Sequence, residues 1–338
     1  MRIKARVLFF SLFCCFCKET FAVNDICDLD ARISPIYCTC DNNRGEEVNT
    51  VCYVINTTSL KNESDIWSDF GEEYAVISLT FTVMNSKLLF VPQIALRKVS
   101  KTLGYLKIEG ATLRALPSFA IYGLPQLKEA NLDQNEITVL KKESVSNLPK
   151  LEKISFAENN ITRIAADVFI DLPSLKLLFF NRNSITTIDD YAFRHLHNLE
   201  ELILTSNQLS RITSKTFVGL TNLTSLDLFS NQLKVIPDYA FESLSKLVEL
   251  DFTDNKIETI EPFAFKGLEN LQRLLLTKNK LTVIAYQIFE DNPRLLHIHL
   301  SENGLQTIKG ETMYSLRKID DEAFMIHLKG KQILNSPK

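Results

Sequence analysis

Four cysteines, Cys27, Cys38, Cys40 and Cys52, stand close together near the amino end. As thiolates they would hold zinc tetrahedrally; oxidised, they would form two disulfides. Their even number, and the absence of cysteine from everything downstream, favours a two-disulfide module in an oxidising compartment. The single residue between Cys38 and Cys40 is tighter than a zinc knuckle uses. Three histidines form a second group. His297 and His299 would share one side of a strand, and His327 follows later in the same frame, so zinc, copper or a pH-sensitive contact comes into question. No cysteine or carboxylate completes that set, and solvated imidazoles are the simpler reading, with no metal assigned. No nucleophile elbow, phosphate loop or paired His-Glu metal motif occurs, so no catalytic residue and no cofactor is assigned and a non-enzyme is expected.

The elements that must position these residues come from a phrase of alternating apolar positions closed by asparagine. Its asparagines are Asn135, Asn159, Asn183, Asn207, Asn231, Asn255, Asn279 and Asn303, each 24 residues after the last. A fixed interval of this length marks stacked structural repeats. The apolar alternation ahead of each asparagine gives a short strand with side chains inward and outward by turns. A second apolar column follows on the return path: Val145, Phe169, Phe193, Phe217, Phe241, Phe265, Phe289 and Met313. Three residues further on a leucine column runs from Leu148 to Leu316, broken by Asn292. No unit buries its apolar side alone, so neighbours complete the core. The expected fold is an α/β-type repeat solenoid, a horseshoe with a concave parallel β-sheet and a largely irregular convex side. The eight asparagines are assigned to structure: a buried amide must be satisfied, and this one suits the main-chain groups of the turn after each strand.

Outward positions of the strands carry no core duty, and there recognition is expected. Leu177, Phe179, Ile203 and Phe229 should form a contiguous exposed apolar patch, rimmed by Glu201, Asp227, Glu249 and Asp251. An apolar patch with a charged rim marks a protein interface, so an extracellular protein is the expected partner. Four Asn-x-Ser/Thr sites, Asn56, Asn62, Asn160 and Asn222, are candidate glycan acceptors placed away from that face.

Residues 1–22 read as a secretory signal: basic at Arg2, Lys4 and Arg6, apolar from Val7 to Cys17, with a small-residue cleavage site at Ala22. Residues 23–66 read as a cap, 67–118 as atypical first repeats, 119–316 as the regular array and 317–338 as an atypical terminal repeat. Removing the leader takes away four basic residues and one acidic one, which moves the net charge from −3 to −6. That balance argues against nucleic acid as partner, and no later segment is long and apolar enough to span a bilayer. Toward the amino end the phrase is worn, with Phe81-x-Val83-x-x-Ser86 as one unit and Leu106-x-Ile108-x-x-Ala111 as the next; Trp67 to Ser78 carry no repeat signal, and Asn56, Thr57, Thr58, Asn62 and Ser64 read as a solvated loop. Ala323-x-x-Ile326-x-Leu328-x-x-Lys331 fits it once more at the carboxyl end, with no cysteines beyond, leaving an edge open to end-to-end self-association.

Cysteines directly ahead of such repeats resemble the disulfide cap of extracellular leucine-rich repeat proteins. The resemblance implies pairing of Cys27 with Cys40 and of Cys38 with Cys52, and a cap that keeps the first repeat's apolar end from water. Ile33-Ser34-Pro35-Ile36-Tyr37-Cys38-Thr39-Cys40, with the spacing onward to Trp67, is similar to arthropod proteins like the non-catalytic subunit of Oplophorus-luciferin 2-monooxygenase. That similarity implies an accessory subunit stabilising a secreted enzyme, beside the leading expectation of a secreted protein-binding module and a third reading as a matrix component.

Overall fold

The computed structural model describes residues 26–28, 34–44, 47–55, 60–70, 74–84, 86–305, 325–328 and 331–334. The expected signal, Asn56, Met313 and Leu316 lie outside the described residues. A single 14-stranded sheet runs the length of the molecule in sequence order. Its strands are β1 (Ile36–Arg44), β2 (Glu47–Val54), β3 (Ala75–Val83), β4 (Tyr105–Glu109), β5 (Glu129–Asn131), β6 (Lys153–Ser155) and β7 (Leu177–Phe179). They continue as β8 (Glu201–Ile203), β9 (Ser225–Asp227), β10 (Glu249–Asp251), β11 (Arg273–Leu275), β12 (His297–His299), β13 (Met325–Leu328) and β14 (Lys331–Leu334). From β4 to β12 every pair is parallel and in register at the repeat interval, so Lys153 lies beside Leu177, Leu177 beside Glu201, and Glu201 beside Ser225. The return path is mostly turns, with two-residue parallel bridges such as Val235–Ile236 to Thr259–Ile260. This is the solenoid that the 24-residue period predicts.

Alternation builds the core. Leu178, Leu202, Leu226, Leu250 and Leu274 point inward from the middle of successive strands and are fully buried. Behind them the phenylalanine column stacks ring on ring, Phe193 to Phe217 at 6.4 Å, Phe217 to Phe241 at 5.7 Å, Phe241 to Phe265 at 6.4 Å and Phe265 to Phe289 at 5.8 Å. Asn292, the break in the leucine column, is fully buried and gives its amide hydrogens to the carbonyls of Phe265 (2.9 Å) and Leu268 (3.1 Å).

Each repeat asparagine ties two units together. Asn183 donates from Nδ2 to the carbonyl of Phe156, 27 residues earlier, at 2.8 Å, and accepts at Oδ1 from the N–H of Ile161 at 3.0 Å. Asn207 does the same with Phe180 and Ile185, and Asn231 with Leu204 and Leu209. Asn135, Asn159, Asn255, Asn279 and Asn303 carry corresponding bonds to the unit before. The residue just ahead of each asparagine takes a left-handed backbone, from Gln134 (φ 59) to Glu302 (φ 56), and this turns the chain out of the strand.

At the amino end disulfides join Cys27 to Cys40 and Cys38 to Cys52. The second joins the paired strands of the antiparallel β1–β2 hairpin, the first ties the turn at Ile26–Asp28 to β1, and β2 pairs in parallel with β3. Two expectations are corrected here. The stretch after Trp67, read as lacking any repeat signal, holds β3 from Ala75, and Leu79 and Phe81 lie beside Leu106 and Ile108. Phe81 therefore matches Ile108 and not Leu106; the extra residues fall in the turn, and the frame resumes where Thr112 N–H meets the Leu88 carbonyl at 3.0 Å. The loop around Asn62 and Ser64, expected to be solvated, instead serves a buried cluster. Ser64 closes a turn on Lys61, whose carbonyl accepts the indole N–H of Trp67 at 2.7 Å. Trp67, Phe70 and Phe81 are fully buried, and Phe90 packs edge-on against Trp67 at 5.9 Å.

The carboxyl end also departs from the expected phrase. β14 doubles back antiparallel on β13, with Ile326 opposite Ile333 and Leu328 opposite Lys331, where a repeat would have turned into its return path. Lysine has donors and no acceptor, so it lacks the amide chemistry that makes the repeat turn.

Candidate functional face

The face available for recognition is built by the outward residues of β4 to β12, and register brings the predicted residues together. Phe179 lies beside Ile203, Ile203 beside Asp227, and Asp227 beside Asp251. In the parallel column Leu177 lies beside Glu201, with Ser225 and Glu249 following. Phe229 follows Asp227 two residues along and so adjoins Ile203 diagonally. The apolar residues are contiguous, as expected, but not all openly exposed: Leu177, Phe179 and Ile203 are half-buried, and Phe229 alone reaches 36%. Strands about 4.8 Å apart let each side chain cover the flank of its neighbour, which a reading of alternation alone does not register. Lys153 adds to this cover, its ammonium lying 5.9 Å from the Phe179 ring.

The acids divide into two kinds. Glu249 is paired with Arg273 on the next strand. Glu201, Asp227 and Asp251 have no cationic partner among the described residues. Asp227 Oδ1 accepts the N–H of Phe229 at 2.8 Å, and Asp251 Oδ1 accepts the N–H of Thr253 at 2.7 Å. Each carboxylate thereby closes a local turn with one oxygen and keeps the other available. Asn131 closes the corresponding turn on β5 with Asp133 N–H at 3.0 Å. Burial pushes the Asp227 carboxyl above the ordinary carboxylate range, against the Phe229 N–H, and the charges of Asp251, Glu249 and Glu201 push it further.

Nearer the amino end the face is internally neutralised. Lys153 pairs with Glu129 at 2.7 Å, and Lys107 pairs with Glu109, whose carboxylate also accepts from the Thr82 hydroxyl at 2.8 Å. The Lys107 bond holds the Glu109 carboxyl below its ordinary range and raises Lys107. These pairings went unassigned from sequence, although Lys107, Glu129 and Lys153 all fall on outward strand positions where cross-strand pairing is readable.

His297 and His299 flank the buried Ile298 on β12, and β13 lies beside that strand with Ile298 opposite Ile326. The side chain of His327 lies outside the described residues. Among the described residues no three metal-ligating groups come together. Of the sequons, Asn160 is exposed, while Asn62 and Asn222 are half-buried. Asn222 donates from Nδ2 to Asn198 at 2.9 Å and accepts from Lys246 at 2.7 Å, on the return path between strands. No helix among the described residues is long and apolar enough to cross a membrane.

Comparison with known proteins agrees with this architecture. The leucine rich repeat model matches residues 125–185 and 180–233, and the BspA-type leucine rich repeat region model, of six copies, matches 210–330. No curated protein matches the chain. Among matching solved structures is the crystal structure of a TLR13–ssRNA13 complex, at 25% identity and a TM-score of 0.60. The match covers 73% of this chain and 35% of that one, so the chain spans about a third of its structural neighbour. A solenoid with an asparagine ladder, a continuous parallel sheet and repeat models over residues 125–330 places the chain among the leucine-rich repeat proteins.

Proposed function

We propose that this protein is a secreted, non-enzymatic binding module that captures an extracellular protein on the concave face of its sheet. The observation that carries the reading is the strip in which Leu177, Phe179, Ile203 and Phe229 adjoin one another and Glu201, Asp227, Glu249 and Asp251 rim them. Apolar side chains left on the sheet by a fold that needs none of them there are complementarity for a partner. The neighbour's complex contains single-stranded RNA, but the unpaired acids at the centre of the present face oppose a phosphate backbone and favour protein. The two disulfides and the reading of residues 1–22 support secretion.

Cross-linking mass spectrometry on the native secretion tests this. Cross-links from the partner are expected at Lys107 and Lys153, on the face, and their yield should fall at least tenfold in Phe179→Ser. Cross-links confined to the return path, or an unchanged yield in a variant that melts normally, would overturn the reading. An accessory subunit similar to the arthropod luciferase partner, or a matrix component, would use the same face. Co-purification with an enzymatic activity marks the first, and calcium- or collagen-dependent sedimentation the second.

A further inference from the structure

The character of the partner follows from how charge is distributed over that face. The three basic residues whose ion pairs lie along it, Lys107, Lys153 and Arg273, are each engaged by an acid of the same face: Glu109, Glu129 and Glu249. What remains is one-signed. Glu201, Asp227 and Asp251 stand on the three adjacent strands β8, β9 and β10, with no cation beside them among the described residues. Three carboxylates held together by the fold repel one another, and a cation arriving from outside relieves that repulsion.

Apolar and acidic positions also alternate in space in a way that suits one kind of segment. Phe179 and Ile203 offer a half-buried apolar step, followed in the same column by Asp227 and Asp251. Phe229, the most open ring of the group, stands beside Asp227 and takes its carboxylate through the main chain. A ring face next to carboxylates receives a guanidinium or ammonium, and the molecule makes the same contact internally where Lys153 lies over Phe179 and Lys266 over both Tyr239 and Phe263. Resting on the concave-face reading above, we infer that this strip receives an extended segment of a partner protein. The segment sets an aliphatic side chain on Phe179 and Ile203 and an arginine or lysine between Asp227 and Asp251 against Phe229. From midway between β7 and β8 to midway between β9 and β10 is two strand spacings, about 10 Å, which an extended chain covers in about three residues. The apolar residue and the cation should therefore be about three residues apart.

An array of immobilised decapeptides tests this with the full-length protein. Each peptide carries one leucine and one arginine in a serine-threonine background, at separations from one to seven residues, with glutamate and serine controls. The expected result is retention at separations near three, about tenfold or more above the glutamate counterparts and weakened by added salt. Asp227→Asn with Asp251→Asn should remove the preference for arginine, while Phe179→Ser should remove retention altogether; melting of each variant checks that it folds. No preference for arginine over glutamate, a preference that survives the double variant, or retention that free spermine displaces as well as a matching peptide does would overturn the inference. The concave-face reading is judged separately by the cross-links: if they map to Lys107 and Lys153 while the arginine preference is absent, the face stands and the cationic segment falls.

Discussion

Asn207 gives its amide hydrogens to the carbonyls of Phe180 at 2.9 Å and Leu204 at 3.0 Å and takes the N–H of Ile185 at 3.0 Å, all within the core. Alanine there would strand the buried Ile185 N–H and take one of two amide donors from each carbonyl, since Asn183 also reaches Phe180 and Asn231 also reaches Leu204, so Asn207→Ala should lower stability by about 1–3 kcal/mol in a denaturant melt. Asp227 works in the opposite direction. Its carboxyl is raised on folding, by burial first and then by Asp251, Glu249 and Glu201, so the native state holds the proton more tightly than the unfolded chain does. The ionised group is thus a penalty at neutral pH, and the penalty disappears as pH falls through the raised native value toward the ordinary 3.8. Asp227→Asn, which keeps an oxygen for Phe229 N–H, should be more stable than wild type at neutral pH. The gap should close on acidification, which paired thermal melts across that range would show. The asparagines were legible from spacing alone, whereas the acid's environment was not, because it depends on which neighbours register places beside it.

A single repeat is a strand, a left-handed exit and a return path, and each piece restricts its residues. Gly219 and Gly267 sit in the return path at φ +106 and φ +87, where a Cβ would stand 2.5 Å from Arg194 Cα and 2.5 Å from the Glu242 carbonyl oxygen. Gly123 has φ +65 with nothing within 4 Å of its Cβ position. Gly219→Ala should therefore cost about 1–3 kcal/mol more than Gly123→Ala, since it adds a backbone clash to the left-handed strain that both share. Comparison of the two melting midpoints checks this. Strand and turn positions were readable in the regular units because each element is only a few residues long and its alternation is complete. In β3 they were not, because additional residues in the turn shift the strand by two against the phrase while Leu88 rejoins it downstream.

The whole molecule is a stack in which each unit touches only its neighbours, so its stability depends on both ends being closed. Disulfides that each close a loop of about 14 residues in the amino-terminal cap should contribute about 3 kcal/mol apiece. Cys38→Ser with Cys52→Ser should lower the melting midpoint and fray the amino-terminal repeats first. Hydrogen exchange would show this as lost protection in β2 to β4 ahead of β8 to β10; uniform loss would mean that the array unfolds as one unit.

The sequence by itself determined the number and interval of the regular repeats, the inward leucines and phenylalanines, the asparagine ladder and the outward columns, because a fixed period maps each position onto one environment. Tertiary structure alone decided how those columns meet. Register between strands far apart in sequence set Asp227 beside Asp251, left Glu201 without a cation and half-covered Phe179 with Lys153. It also drew Trp67 into a buried aromatic cluster with Phe70 and Phe81 and doubled β14 back on β13. These are relations between neighbouring units and between ends, and a period describes one unit at a time.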